Sequence, residues 1–190
     1  MHTQKRFPKF LTQEETGHLL EAIENPTHRL IVALTYGAGL RVSEIISLRV
    51  QDLDFNAGSG LLHNGKGGKD RMFIIPEKLK LSLQIWINEN KLTPDDWLFK
   101  GYNNTHYSDS SVRMIIAKAR KKANLRKHIS PHSLRHSFAT HLLENGYSLF
   151  EVSRLLGHSR IETTMVYAHL ANPKLCNVKS PFDTLPVQNV

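Results

Sequence analysis

Thiols are nearly absent from this chain of 190 residues: Cys176 is the only cysteine. No internal disulfide can form, which excludes a disulfide-stapled secreted scaffold and points to a reducing compartment. Long apolar runs are missing too, and none approaches the ~18 residues of a membrane helix. The basic stretch from Met1 to Phe10 is not followed by the apolar segment of roughly 7 to 15 residues that makes a secretory signal. The expected location is the cytoplasm, with no membrane partner. Acidic residues are in deficit, 17 Asp plus Glu against 25 Lys plus Arg, and 25 − 17 leaves +8 with histidine neutral. A surplus of that size favours polyanionic partners, nucleic acid first. The remaining composition is ordinary: 40% hydrophobic and 22% charged residues exclude a disordered chain, and the length gives room for one full-sized domain.

The positive charge is unevenly spread. From Arg113 to Arg135 there are eight Lys or Arg residues (Arg113, Lys118, Arg120, Lys121, Lys122, Arg126, Lys127 and Arg135) and no Asp or Glu. A second cluster, Lys66, Lys69 and Arg71, sits in and beside the turn Gly65-Lys66-Gly67-Gly68-Lys69. Acidic residues concentrate between positions 14 and 24 and between 144 and 162, which predicts one positive face and one nearly neutral face. Lys69, Arg71, Arg113, Lys118, Arg120, Lys121 and Lys122 are therefore the candidates for gripping a phosphate backbone, the source of most salt-dependent affinity for DNA.

Periodicity predicts a mainly helical domain with a small three-stranded antiparallel sheet. Thr12 and Glu15 form a capping-box pattern ahead of Leu19, Leu20 and Ile23, so a helix starts near Thr12. A second, largely buried helix carries Leu30, Ile31, Ala33 and Leu34 and ends at Gly37-Ala38-Gly39; a short third follows over 42–48. Short apolar runs at 50–55, 61–63 and 72–75, separated by glycine turns, read as the three strands. Pro76 opens another helix, and helices resume near Ser110. Ser130-Pro131 is an N-cap with proline at the first helical position, Gly146 closes that helix, and two short helices at 148–156 and 162–167 precede a proline-rich tail.

Three segments carry chemistry. In Gly39-Leu40-Arg41-Val42-Ser43-Glu44 an arginine follows a glycine break, with a carboxylate three residues on; taken alone this is an ordinary surface ion pair. In Pro131-His132-Ser133-Leu134-Arg135-His136, His132 and Arg135 lie one turn apart at a helix N-terminus, which already favours an anion. The third runs from Leu155-Leu156-Gly157-His158 to Tyr167. Together they describe a phosphate-handling site. Arg41 and Arg135 can fork onto the oxygens of one phosphodiester, and His158 adds a donor. Lys66 is an ammonium able to protonate a leaving oxygen, Tyr167 a hydroxyl able to form a phosphotyrosine, and His132 a group placed to help remove its proton. No cofactor is called for. A metal is not expected either, because His132 and His136 lack the intervening Glu of an HExxH zinc site.

These residues resemble the tyrosine recombinase, or phage integrase, family, and the resemblance runs from about Phe10 to Tyr167. The ordered set is Arg41 in GLRVSE, Lys66 in GKGGKDR, His132 and Arg135 in HSLR, His158 in LLGH and Tyr167 in TTMVY. The resemblance implies the α+β catalytic-domain fold of that family over 12–170, after an extension over 1–11. It implies a site-specific DNA recombinase that needs no metal and works through a 3′-phosphotyrosyl intermediate. In that scheme Arg41, Arg135 and His158 bind the scissile phosphate, Lys66 protonates the 5′ oxygen, His132 is an acid–base aid, Tyr167 is the nucleophile and Glu44 orients Arg41. Double-stranded DNA is the implied partner, with four protomers assembling on it in the nucleoid and the tail over 171–190 either docking on a neighbour or packing on its own domain. The family's N-terminal core-binding domain is expected to be absent from this chain, so a separate clamp domain or accessory proteins are further candidate partners. Two other readings remain at this stage. Segments 151–156 and 162–167 could form the helix-turn-helix of a noncatalytic or inactive DNA binder, and a type IB topoisomerase would share the chemistry.

Overall fold

The computed structural model describes residues 10–63, 70–158 and 161–168. Helix α1 (Gln13–Glu21) begins where the sequence places it. The Thr12 hydroxyl accepts from the Glu15 amide, and the Glu15 carboxylate accepts from the Thr12 amide at 2.8 Å. Pro26 starts α2 (Pro26–Gly37), since the first helical position needs no N–H and Asn25 supplies the cap. Leu30, Ile31, Val32, Leu34 and Thr35 are all buried, so α2 is the central post against which α1, α4, α5 and α6 pack. Burying an aliphatic side chain of this size is worth about 1.5–3 kcal/mol.

Helix α3 (Val42–Ile46) is shorter than the 42–48 expected. The first of the predicted strand segments resolves into a single 3-10 turn, Val50–Asp52, and a two-residue strand β1 (Leu53–Asp54). Asp52 accounts for the difference: its carboxylate caps the Arg49 amide at 2.8 Å and curls the chain before pairing begins. β2 (Ser59–Leu62) and β3 (Arg71–Ile74) complete an antiparallel sheet in the order β1-β2-β3, with Gly60 opposite Phe73 and Leu62 opposite Arg71. The three-stranded prediction holds; the first strand is shorter than expected and the other two begin one or two residues earlier.

Helices α4 (Glu77–Glu89), α5 (Asp109–Lys122), α6 (Pro131–Glu144), α7 (Leu149–Leu156) and α8 (Glu162–Ala168) follow. Ser108, Ser130 and Ser148 cap α5, α6 and α7, each worth about 1 kcal/mol. Buried side chains surround α6 on almost every side, which makes it the second post of the domain. One apolar cluster fills the space between α1–α5 and the sheet; a second, of Phe138, Ala139, Leu143, Val152, Leu156 and Tyr167, lies under α6, α7 and α8. Among the described residues no helix is long and apolar enough to cross a membrane.

The chain leaves α2 through Gly39, whose φ of 61° is left-handed, and this bend delivers Arg41 to the start of α3. A Cβ at position 39 would collide with the Phe138 ring. Gly39→Ala is therefore expected to cost about 2–5 kcal/mol from left-handed strain plus overpacking. A urea titration with a matched thermal melt should show Tm falling by roughly 5–15 °C.

Candidate active site

The site forms where α3, α6, β3 and the end of α7 meet. Arg41 stands at the N-cap of α3, and one turn on the Glu44 carboxylate takes both its backbone amide (2.7 Å, Oε2) and its Nη1 (2.6 Å, Oε1). The same carboxylate receives Arg71 from β3 at 2.7 Å through Nη2, and Arg135 from α6 stands 3.7 Å from Oε2. Three guanidiniums thus share one buried carboxylate. Burial would push the Glu44 carboxyl up, but the Arg71 hydrogen bond and charge, the Arg41 amide and Arg135 outweigh it, and the group is held below its usual range.

Arg135 is fixed at both ends. Its Nη1 donates to the Gly39 carbonyl at 2.6 Å and its Nη2 to the Leu156 carbonyl, tying the ends of α2 and α7 to α6. Burial, then the neighbouring Arg41, bring its pKa down to about 10 against the pull of Glu44, so it remains charged at neutral pH. Arg41 is the more accessible of the two, with 22% of its side chain exposed against 6% for Arg135. His158 follows Gly157, the left-handed cap of α7, and its Nδ1 meets the Thr164 hydroxyl at 2.8 Å. Burial and then Arg135, Arg41 and Arg71 lower its pKa to about 4, so it is neutral at pH 7 and an added anion would restore its basicity.

Tyr167, on α8, is buried, 4% exposed. Its ring is stacked on His158, with centroids 6.5 Å apart and planes 19° from parallel, and tilted against His136, centroids 5.4 Å apart. Its hydroxyl lies 2.8 Å from Nδ1 of His136. Burial pushes the phenol above its ordinary range, and Arg135 and Arg41 pull back only part of the way. The phenol is thus neutral at pH 7 yet sits in the field of both guanidiniums.

Of the sequence candidates, the structure brings together Arg41, Glu44, Arg135, His158 and Tyr167. His132 is exposed one turn before His136, and it is His136 that meets the tyrosine hydroxyl. Sequence reasoning missed His136, although its spacing of four from His132 and its place beside Arg135 put it on the relevant face of α6. Lys66 and Lys69 lie outside the described residues, as does the tail. Arg71, a candidate for gripping DNA, turns inward: only 9% of its side chain is exposed, and it also donates to the Leu155 carbonyl at 2.5 Å. Its role here is to tie the sheet to α3 and α7, because three of its hydrogen bonds end on protein oxygens.

Arg113, Lys118, Arg120, Lys121 and Lys122 do share α5, with Lys118, Lys121 and Lys122 exposed. The expected separation of charge is not found, however. Lys122 pairs with Glu24, Lys127 with Glu15 at 2.6 Å, and Arg113 with Asp109, so the acidic N-terminal region lies against the basic stripe. Sequence distance had hidden that neighbourhood. The helix-turn-helix reading is not favoured: α8 packs on α6 and α7 and brings Tyr167 into the field of Arg135 and Arg41, which that reading leaves unexplained.

The site thus sets a tyrosine hydroxyl in the field of two guanidiniums, on a helical domain with a three-stranded sheet. The sequence model of the phage integrase family matches residues 9–173, and the chain belongs to that family. It is 34% identical over 96% of its length to an integrase/recombinase of Escherichia coli and 40% identical over 89% to a tyrosine recombinase of Pseudothermotoga lettingae. The chain spans 66% and 59% of those two relatives, less than two thirds of either. Among solved structures it resembles the XerA recombinase, with a TM-score of 0.80 and 30% identity over 90% of this chain and 62% of that one. It also resembles the catalytic domain of bacteriophage HP1 integrase, with a TM-score of 0.68 and 27% identity over 88% of this chain and 90% of that one. The expectations of family and fold class are met.

Glu44 generates a stability prediction. Glu44→Gln keeps the shape and removes the charge that offsets buried Arg135 and Arg71; the expected cost is about 3–5 kcal/mol by urea titration. The pH dependence follows from two depressed pKa values. The neutral form of His158 contributes stability that is complete above its unfolded value of 6.5 and lost as pH falls through about 4. The Glu44 carboxylate contributes stability that is complete above 4.5 and lost as pH falls through its lower folded value. The urea midpoint should therefore decline from pH 6.5 downward in the wild type, and Glu44→Gln should flatten the part of the curve below pH 4.5.

Proposed function

We propose that this chain is the catalytic portion of a site-specific DNA recombinase that cuts and rejoins strands through a 3′-phosphotyrosyl intermediate. The observation that carries the reading is the buried tyrosine hydroxyl held in the field of two guanidiniums that one carboxylate locks together. Family membership supports it, and so does the XerH recombinase, solved in a post-cleavage complex with its DNA and similar to this chain at 27% identity and a TM-score of 0.77.

In this reading Arg41, Arg135 and His158 hold the two nonbridging oxygens of the scissile phosphate. Their charge stabilises the pentavalent state better than the diester, because negative charge grows on those oxygens as the nucleophile adds. The Tyr167 oxygen bonds to phosphorus as the bond to the 5′ oxygen breaks. Lys66 gives that oxygen a proton, and His132 assists removal of the phenol proton. A 5′ hydroxyl from a second strand then reverses the step, expelling tyrosine and restoring its proton. One phosphodiester is exchanged for another, so no ATP and no metal enters the balance. Four protomers on two DNA sites, with the 171–190 tail docked on a neighbour and a core-binding domain or accessory protein completing the clamp, form the proposed assembly. It acts on nucleoid DNA in the cytoplasm.

The test is a suicide duplex nicked close to the cleavage position, so that the short 5′ fragment diffuses away, drawn from a pool of the host's mobile-element junctions. A denaturing gel should show a DNA-linked protein band for the wild type and none for Tyr167→Phe. No band from either protein with any duplex would sink the reading.

Binding should be electrostatic. In a filter-binding salt titration, log K should fall linearly with log salt at about 0.9 per neutralised phosphate, and Lys121→Glu on the exposed face of α5 should lower the slope by about 1. An unchanged slope would remove α5 from the DNA-binding surface.

A further inference from the structure

We propose that His136 is the positioning residue of the tyrosine nucleophile: its Nδ1 receives the Tyr167 hydroxyl hydrogen and thereby sets where the phenol oxygen points. This rests on the reading of Tyr167 as nucleophile.

The contact is short, 2.8 Å, and it is the only hydrogen bond of the Tyr167 hydroxyl among the described residues. A buried hydroxyl without that partner would carry its full desolvation penalty. The imidazole is rigidly placed, because it follows Arg135 on α6 and Arg135 is anchored to the Gly39 and Leu156 carbonyls. His136 therefore registers the phenol against the same helix that carries the phosphate-binding guanidinium. Helix α8 has only seven residues, with Met165 and Val166 exposed, and its inward anchors are Thr164, bonded to His158, and Tyr167, bonded to His136. Deleting the second anchor frees the end of the helix that carries the nucleophile.

The direction of the bond follows from the surroundings. His136 is half-buried beside His132 and Arg135, and all three factors disfavour its cationic form. A neutral imidazole protonated on Nε2 has a lone pair at Nδ1, and the hydroxyl supplies the hydrogen. With the hydrogen turned to Nδ1, the oxygen lone pairs are free for phosphorus. The depressed basicity suits His136 to fix the direction of the proton rather than to keep it. His132, exposed and one turn away, lacks this contact.

The experiment follows covalent-adduct formation on the suicide duplexes for the wild type, His136→Phe and His136→Asn. Asparagine places an amide atom where Nδ1 sits, whereas phenylalanine fills the space without a polar atom. His136→Phe should form adduct roughly 10- to 100-fold more slowly, the cost of a misplaced nucleophile, with DNA affinity unchanged, and His136→Asn should recover to within about threefold of the wild type. A second arm joins a strand ending in a 3′ p-nitrophenyl phosphate to a facing 5′ hydroxyl. There the 5′ oxygen attacks phosphorus and p-nitrophenolate departs, so Arg41 and Arg135 are needed and the tyrosine hydroxyl is not. In a Tyr167→Phe background, where only this direct attack is possible, adding His136→Phe should leave the joining rate unchanged. Adduct formation by His136→Phe as fast as the wild type, or loss of p-nitrophenyl joining together with adduct, would overturn the positioning role. Absence of adduct from the wild type with every duplex would instead fail the nucleophile reading itself, and the positioning role with it.

Discussion

Three guanidiniums, those of Arg41, Arg71 and Arg135, converge on the carboxylate of Glu44, and the geometry of the site depends on that convergence. Without the carboxylate, three like charges would repel one another in a poorly hydrated space. With it, their spacing is set before any phosphate arrives. A preorganised cation cluster spends no energy on rearrangement when charge develops on the substrate. The cluster also joins parts of the chain that are far apart in sequence: the start of α3, the end strand of the sheet, the middle of α6 and, through carbonyl acceptors, the ends of α2 and α7. Folding and site assembly are therefore one event.

The same cations shape the titration of everything near them. His158 and His136 are both made harder to protonate, by burial first and by positive neighbours next. A bound phosphodiester would reverse that bias for His158, since an anion between the guanidiniums cancels the field that suppresses its cation. The phenol of Tyr167, pushed up by burial, is neutral as well.

Two parts of the structure differ in how they are held. The region around α2 rests on a large apolar cluster with many long-range neighbours, whereas α8 rests on α6 and α7 through a small cluster and two polar contacts. Elements with few buried contacts lie at the low end of local stability. Tyr167 is thus held by the smaller cluster and two polar contacts, whereas Arg135 is carried by a helix buried on almost every side.

Much of this was legible in the sequence because it is local. Capping at Thr12 and Ser130 and the break at Gly39 act within four residues, and the order of helices and strands followed from such local signals. Arg41 with Glu44, and Arg135 with its helix N-terminus, were readable for the same reason: each pair lies within one helical turn. What tertiary structure alone decided depends on contacts between distant segments. Arg71 looks like another surface cation until the sheet carries it to Glu44, 27 residues away in sequence. The basic stripe looks free until α1 and the turn after it bring Glu15 and Glu24 against Lys127 and Lys122. His136 looks incidental beside His132 until α8 folds back and places the Tyr167 hydroxyl on it, 31 residues away in sequence. Sequence by itself determined which groups are available and which lie on one turn of one helix, because backbone hydrogen bonding imposes that order locally. Which groups meet was decided by burial, because only packing the apolar faces of α2, α6 and α8 sets the distances between charges on different elements.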